Sequence, residues 1–532
     1  MKHAALFMIL NLWCLSGLPA QTSCPVIPLP LEAEPGTGTF VLGRKTPVRF
    51  NSGLIRETVA YFKAALLEKT GIPLAVEKIT GKTPVITFEL EEGDPLAPDE
   101  SYTLQVTTEG ISVRAKTLAG MFNGTVSLLH LALNSQTDGE RIAVEAWNIS
   151  DSPAYSWRGL MLDVSRYFIP KPKLLSLIDW MAFYKLNHLH LHLTDEPAWR
   201  LEIKKYPRLA EIGGQGDYND PDKPARYYSQ RDILQIVNYA ASRNITVIPE
   251  IDMPGHATAA NRAYPEYSGG GSEKHPEFTF NPGKEETYTY LGDILRETRA
   301  LFPSGILHLG GDEVSFGNDK WLNDKGVLKK MQENGWKDVK QVELGFMRRM
   351  ADTVLAMGAR IAAWDELAET ELSVDKTIIF WWRHDKPEQL YKALEKGYRT
   401  VICPRLPYYF DFVQDSTHRS GRTWNGKYNA LYDVYSFSVR DLAKGADASK
   451  VLGVQANLWT ETVTATERVD YLLFPRMAAL SESAWTRDRK NFKDFTNRLN
   501  SHFRWYQQAG LYYYNPENPG ETPEPVYPKK KN

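Results

Sequence analysis

The sequence predicts an α/β chain in which a (β/α)8 barrel follows a small α/β domain. Three observations carry that prediction. Between residue 157 and about residue 485, eight short apolar runs with strand character alternate with amphipathic helical patterns, the rhythm of parallel strands joined by right-handed crossovers. Eight repeats favour closure into a barrel over an open sheet. The 532 residues exceed the usual size of one domain and leave room for a further unit before the repeats begin. Acids and tryptophans also collect directly after the strand runs, on the face where such barrels carry their sites.

In chain order, Met1-Lys2-His3 is followed by an apolar segment, Ala4 to Leu18, and then Pro19-Ala20, the pattern of a signal peptide over 1–20. The segment is too short, and too polar at Asn11, for a spanning helix, and no other apolar stretch of ~20 residues follows, so no transmembrane span is expected. Export to a periplasm, cell surface or medium is the expectation. Of three cysteines, Cys14 lies in that segment and only Cys24 and Cys403 remain, which implies no disulfide framework. Gln21-Thr22-Ser23 before Cys24 is a poor lipid-attachment motif, so cleavage near Ala20 is preferred to lipid anchoring.

Residues 24–152 read as the small α/β domain. Its expected strands are Thr39–Leu42, Thr83–Leu90, Tyr102–Val106 and Ile111–Ala115, with helical patterns at 55–68 and 117–133. Ile149-Ser150-Asp151-Ser152-Pro153 has the turn residues and proline of a junction. The barrel domain is expected over 153–515. Its strands are Gly159–Val164, Leu186–Thr194, Ile245–Ile251, Gly305–Leu309, Arg360–Trp364, Thr377–Trp382, Tyr398–Cys403 and Val451–Leu458. Helical patterns follow at Lys171–Tyr184, Ser229–Ser242, Val339–Met357, Pro387–Lys396 and Thr466–Ala484. Longer connections at 196–228, 252–286, 312–338 and 404–450 belong to the functional face. Residues 516–532 read as a polar tail that includes Lys529–Lys531.

The net charge of -2 and the absence of any other lysine run exclude a nucleic-acid footprint. An aromatic share of 12%, with 14 tryptophans, supplies flat faces suited to sugar rings as well as to core packing. The strand ends present Asp163, Asp195, Glu250-Ile251-Asp252 leading to His256, Asp312-Glu313, Trp364-Asp365-Glu366, Trp381-Trp382 and Trp459-Thr460-Glu461. Carboxylates for hydroxyls and indoles for ring faces describe a carbohydrate pocket, with a glycan or glycoconjugate as partner.

Within that rim, His308-Leu309-Gly310-Gly311-Asp312-Glu313 puts two adjacent acids at a strand end, after glycines that let the chain turn sharply and a ligand approach. Neighbouring carboxyls in a cleft do not ionise equally, which leaves a proton donor beside an anion and suits acid-assisted hydrolysis. The alternative is an ordinary helix start, where acids are favoured by the dipole. In the run from His188 to Glu196, alternation puts His188, His190 and His192 on one side of a strand and Leu189, Leu191 and Leu193 on the other. Three histidines on one face raise a metal-dependent hydrolase as a rival. The later strand ends carry tryptophans where further ligands would be needed, so hydrogen-bonded histidines inside a barrel, with no metal or other cofactor, are preferred.

The segments RGLMLDVSR (158–166), HLHLTD (190–195), PEIDMPGH (249–256), HLGGDE (308–313), WDE (364–366) and GVQANLWTE (453–461) together resemble glycoside hydrolase family 20, the β-N-acetylhexosaminidases. The resemblance spans roughly 153–485 in order. It implies an exo-acting, retaining hydrolase without a protein nucleophile, the substrate-assisted exception among glycosidases. Glu313 is then the general acid and later the base, while Asp312, kept ionised, holds the 2-acetamido N–H as its carbonyl oxygen attacks the anomeric carbon. Tyr409, chosen over Tyr408 for its spacing to Asp411, donates to the acetamido oxygen. The resemblance assigns Arg158 to the ring's 3- and 4-hydroxyls and Asp195 with His256 to support of the acid. Trp364, Trp382 and Trp459 wall the acetyl pocket, with Trp382 preferred to Trp381. Asp411 and Glu461 bind outer hydroxyls, and Trp424 stacks on the leaving sugar.

Tyr167 and Glu196-Pro197 depart from the family's usual His and Asp-Gln. Release of a disaccharide, as by lacto-N-biosidases, or selection of a sulfated sugar stands as an alternative within the family. A carbohydrate-binding protein with a dead site is the alternative outside enzymes, disfavoured by the intact Asp312, Glu313 and Tyr409. The oligomeric state is left open by the sequence.

Overall fold

The computed structural model describes residues 23–525 apart from 75–84, 444–446 and 488–489. The expected signal peptide, Cys14 and Lys529–Lys531 lie outside the described residues. The first domain is a seven-stranded mixed sheet: β1 (Glu32–Gly43), β2 (Val48–Phe50), β3 (Val85–Leu90), β4 (Tyr102–Val106), β5 (Gly110–Ala115), β6 (Gln136–Thr137) and β7 (Arg141–Asp151), ordered β1-β7-β4-β5-β3-β2 with β6 paired to β7. Helices Arg56–Thr70 and Leu118–Leu133 pack together on it. The second starts where Thr117 accepts a hydrogen bond from the Gly120 N–H, as an N-cap should. Its side chains from Gly120 to Leu133 are all buried.

The sequence reading misses β7 and takes its end for a junction. Arg141–Asp151 alternates buried and exposed residues as a sheet strand does, and it pairs with both β1 and β4. Turn-forming residues do not end it early because Asp151 is buried with partners: its carboxylate accepts from Tyr102 (2.5 Å), Lys185 (3.3 Å) and the Trp485 indole (2.9 Å). This knot joins the sheet to the barrel. Burial lowers Lys185 to about 8 even with Asp151 beside it.

All eight expected barrel strands form. They are β8 (Trp157–Asp163), β9 (His188–His192), β10 (Thr246–Glu250), then, after a rim hairpin of β11 (Ser268–Gly270) and β12 (Thr279–Phe280), β13 (Ile306–His308), β14 (Arg360–Trp364), β15 (Thr377–Trp381), β16 (Arg399–Ile402) and β17 (Val451–Leu458). Every barrel pairing is parallel, and β17 closes on β8. Period-two alternation sorts the side chains into two cores. Leu189, Leu191 and Leu193 face the surrounding helices, while Met161, Ile248, Ile306, Ile378, Phe380 and Val401 fill the interior.

The pattern expected as one helix over Thr466–Ala484 is two helices, Thr466–Leu473 and Arg476–Trp485. Pro475 has no N–H to give, and it pushes Phe474 to extended backbone (φ -104°, ψ 137°). Cys24 and Cys403 are unpaired and buried. Burial pushes the Cys24 thiol up to about 12, so it is packed as a core residue. Residues 516–525 are tied down instead of trailing freely. Glu524, its side chain nearly fully buried, pairs with Arg468 (2.5 Å) and accepts from the Arg419 and Ser420 N–H groups.

Candidate active site

At the C-terminal ends of the barrel strands lies a pocket of about 380 Å³, lined by Asp195, His256, Asp312, Glu313, Trp364, Trp382, Tyr409, Trp424, Trp459 and Glu461 together with Arg166, Arg405, Phe412, Arg422 and Thr423. The two acids reach it through a backbone only glycine permits. Gly310 and Gly311 have φ of 65° and 91°. A Cβ on Gly310 would lie 1.8 Å from an Asp252 carboxylate oxygen, and one on Gly311 2.4 Å from Leu367 Cδ1. Glu313 itself is left-handed (φ 52°), as is His256 (φ 52°). Non-glycine residues in that region are uncommon and collect at functional sites. The helix-start alternative fails: Glu313 makes no side-chain cap, and only a three-residue turn, Val314–Phe316, follows.

Behind the acids runs a continuous polar chain. The Trp364 indole donates to Glu250 (2.8 Å), Glu250 meets His192 Nδ1 (2.6 Å), and His192 Nε2 meets Asp195 (2.7 Å). Asp195 then meets His256 Nδ1 (3.1 Å), whose Nε2 stands 3.8 Å from Asp312 and 3.7 Å from Glu313. Burial opposes a charge on His256, yet Asp195 and Asp252 raise it well above the usual imidazole range, so it stays cationic. Burial likewise opposes the charge on Asp195, but Arg166 and His256 hold its carboxyl well below its usual range.

Burial raises both acids, with His256 pulling the other way. Asp312 goes up to about 7, with Glu313 adding to the rise, and Glu313 rises above its usual value. The rise at Glu313 favours its protonated form, while the anion of Asp312 needs a partner to hold it. The deeply buried Asp252 is itself raised by burial and by Asp312, so the neighbouring carboxyls titrate as a group. An acetamido N–H facing Asp312 would draw its pKa back down.

The structure corrects the arginine. Arg158 is the second residue of β8, at the opposite end of the barrel from the pocket, buried and paired with Glu100 of the first domain (2.9 and 2.5 Å). Arg166, just past the C-terminal end of the same strand, lines the pocket and faces Asp195 (2.7 Å), Asp163 (3.3 Å) and Glu461 (3.6 Å). Both arginines stand in the RGLMLDVSR segment; strand polarity selects the second.

The aromatic choices fall where alternation puts them. Trp382 lines the pocket and donates to Glu366 (3.1 Å), while Trp381 turns to the outer core and donates to the Lys386 carbonyl. Tyr409 lies nearly parallel to Trp382 (10°), whereas the Tyr408 hydroxyl is buried against Ser483. Burial keeps the Tyr409 hydroxyl protonated, well above its usual range, and so a donor. Trp364 and Trp459 stand 6.0 Å apart. Asp411 is buried 3.7 Å from Arg422, which also binds Glu461 at 2.6 Å. Burial and Glu461 push Asp411 up to about 8. Arg405, Arg422, Phe412 and Thr423 escape sequence reading because they sit in the connection 404–450, where no periodicity marks which side chains turn inward. The residues that depart from the family pattern find partners: Tyr167 with Thr466 (3.3 Å) and Glu196 with His275 (3.1 Å).

The interior histidines use one another's partners. His190 Nε2 lies 3.1 Å from Glu250, and its Nδ1 takes a contact from Gln455 (3.2 Å). His308 Nδ1 accepts from the Gly310 N–H (3.1 Å), and His188 stacks on Trp157 at 3.7 Å. They brace β9, β10 and β13 beneath the pocket floor.

Residues 155–488 match the model of the glycosyl hydrolase family 20 catalytic domain, and residues 23–152 match that of the family's domain 2. A β-hexosaminidase of Porphyromonas gingivalis is 32% identical across 97% of this chain and 69% of its own length. A β-N-acetylhexosaminidase of Cellulomonas fimi is 30% identical, covering 91% and 95%. Among solved structures, the family 20 exo-β-N-acetylglucosaminidase of Vibrio harveyi in complex with N-acetylglucosamine superposes with a TM-score of 0.85 at 28% identity, covering 94% of this chain and 80% of that one. The β-N-acetylhexosaminidase of Bacteroides fragilis gives 0.79 at 28%, covering 94% and 99%. The catalytic model, the domain before it and the barrel with its paired acids agree: the chain belongs to glycosyl hydrolase family 20, the β-N-acetylhexosaminidase family its motifs resemble, and is a glycoside hydrolase.

Proposed function

We propose that the chain removes single terminal β-linked N-acetylglucosamine or N-acetylgalactosamine residues with retention, the substrate's acetamido group serving as nucleophile. The observation that carries this reading is the placement of Asp312 and Glu313 against one imidazole nitrogen, at 3.8 and 3.7 Å. An ordinary retaining glycosidase sets its two carboxyls on opposite faces of the sugar, about 5–5.5 Å apart across the anomeric carbon. Here both acids belong to adjacent residues held by one histidine, an arrangement that supports different jobs for them rather than an acid and a protein nucleophile. One can protonate the leaving oxygen while the other orients a group of the substrate itself. A pocket of about 380 Å³ that runs from Arg166 to Trp424 suits a terminal sugar with part of the leaving group on its rim.

In this mechanism Glu313 gives its proton to the glycosidic oxygen. The acetamido carbonyl oxygen closes on the anomeric carbon, its N–H held by Asp312 and its oxygen by the Tyr409 hydroxyl. The positive oxazolinium ring is stabilised by the Asp312 carboxylate. Glu313 then takes a proton from water, which opens the ring from the face the leaving group vacated. His256 and Asp195 hold Glu313 in place, Arg166 takes the ring hydroxyls assigned above to Arg158, and Asp411 and Glu461 take the outer ones. Export through residues 1–20 is part of the same reading, and the N-terminal sequence of the protein recovered from its cells tests it.

The activity test is release of nitrophenol from the N-acetyl-β-glucosaminide, its galactosamine analogue and the plain β-glucoside, by the protein and by Glu313→Gln. Release from the acetamido substrates alone, lost by orders of magnitude in the variant, is the expected result. Equal activity on the plain glucoside refutes the acetamido role. No release from any of them points to a larger or sulfated glycan, or to a binding protein.

A further inference from the structure

A pocket closed at its floor has one exit, so whatever leaves with the glycosidic oxygen must rest on its rim. On one side that rim is basic. Arg405 lies between two indoles, its guanidinium carbon 4.2 Å from the Trp424 ring and 4.8 Å from the Trp382 ring. The backbone fixes it there: its N–H donates to the Trp382 carbonyl (3.0 Å) and its carbonyl accepts from Asn429 (2.8 Å). Of its five N–H donors, only one is used among the described residues, in a 2.6 Å bond to Asp385, and Nε is buried without an acceptor.

The ring of His384 meets the other edge of Trp424 at 5.2 Å, and its Nδ1 is also buried without a partner. Lys427 closes the turn that presents Trp424, with Asn425 and Gly426 in the left-handed positions (φ 50° and 74°) of a tight hairpin. Its ammonium is exposed and acts on His384 together with Arg405, against the single carboxylate of Asp385. A neutral leaving sugar needs an aromatic face and hydroxyl partners. A guanidinium with donors to spare can serve hydroxyls too, but beside an ammonium and only one carboxylate its charge favours an anion.

Resting on the exo-hydrolase reading above, we propose that Arg405, with Trp424 and Lys427, forms a leaving-group subsite for an acidic sugar, Trp424 carrying its ring face and Arg405 its anion. The planar fork of a guanidinium matches a carboxylate or a sulfate, and desolvation between two indoles strengthens the pairing. A uronic acid and a sulfated hexosamine are the two sources of that anion.

The test compares kcat/KM for three disaccharides with the same terminal N-acetylglucosamine, β-linked to N-acetylglucosamine, to glucuronic acid or to 6-O-sulfo-N-acetylglucosamine. One charge-assisted hydrogen bond predicts about a tenfold preference for an acidic leaving sugar over the neutral one. That preference should shrink with added salt. Whichever acidic arm is preferred identifies the source. In Arg405→Gln the ratio of acidic to neutral should fall to about one, and Arg405→Lys should keep part of it. Loss of packing around Trp382 and Trp424 would lower all three substrates together and leave the ratio unmoved, so an unmoved ratio overturns the proposal. So does a wild-type protein that cleaves the neutral disaccharide at least as well as both acidic ones, and this result leaves the hydrolase reading standing. Cleavage of none of the three, nor of the nitrophenyl substrate, overturns both.

Discussion

Replacing Asp312 by asparagine should make the protein more stable and less active, and the gain should depend on pH. Asp312 is buried beside Glu313, and its carboxyl is pushed from an ordinary 3.8 up to about 7. A carboxyl raised on folding binds its proton more tightly in the folded than in the unfolded chain. Stability therefore falls as pH rises from about 3.8 to about 7, and the full penalty applies above that window. The displacement corresponds to roughly 4 kcal/mol. Asparagine has the shape of the protonated acid and no charge to desolvate. At pH 8, Asp312→Asn should raise the melting temperature by about 4 °C, taking an unfolding entropy of about 2.1 cal/mol/K per residue for a chain this long. At pH 4 the two proteins should melt together. The assay is thermal unfolding of both at pH 4, 6 and 8, with kcat on the nitrophenyl acetamido substrate alongside. Equal destabilisation by asparagine at every pH would refute the reasoning, because Asp312 would then be held by partners that favour its anion.

Other outcomes follow from single contacts. Arg166→Lys should lose about 100-fold in kcat/KM, since a point charge replaces a fork set among three carboxylates. Arg158→Met should keep its activity while the fold loses roughly 3–5 kcal/mol with the Glu100 pair, read by denaturant unfolding. Gly310→Ala should fail to accumulate as soluble protein or melt far lower, as its Cβ would lie 1.8 Å from Asp252. Tyr409→Phe should cut kcat by roughly 100- to 1000-fold, the range for one lost donor to a developing charge. Tyr408→Phe, altering a hydroxyl buried against Ser483, should lower stability slightly and leave kcat alone.

The barrel was legible because its strands are buried on both faces and read as apolar runs. Those runs, from Trp157 to Leu458, stood out against helices of a different period. Arg141–Asp151 was not, since a half-exposed strand with Asn148, Ser150 and Asp151 looks like a turn until its partners are known. The acids, the histidine and the tryptophans of the rim could be placed by strand ends and motif. Arg158 and Arg166 could not be told apart by motif alone, although the direction of β8 separates them. The basic rim around Trp424 had no periodic signature, because a loop's inward residues are chosen by what it folds against.

The ion pair of Glu524 with Arg468 has a consequence for how the molecule is assembled. Glu524 holds the backbone at Arg419 and Ser420, and Arg468 also bonds the Ser420 carbonyl (2.6 Å), a few residues before Arg422 and Trp424. The strands of the barrel, and Asp312 and Glu313 with them, leave the ribosome before Glu524 does. A nascent chain can thus close its barrel while the mouth is still unfastened, and the pocket acquires its final outline only when a segment more than a hundred residues beyond Arg419 threads back and clasps it. Shortening the Ser420 end of that clasp, with Glu524 and Arg468 kept as a pair, should blur selectivity, which makes this stretch a handle for tuning what the enzyme accepts.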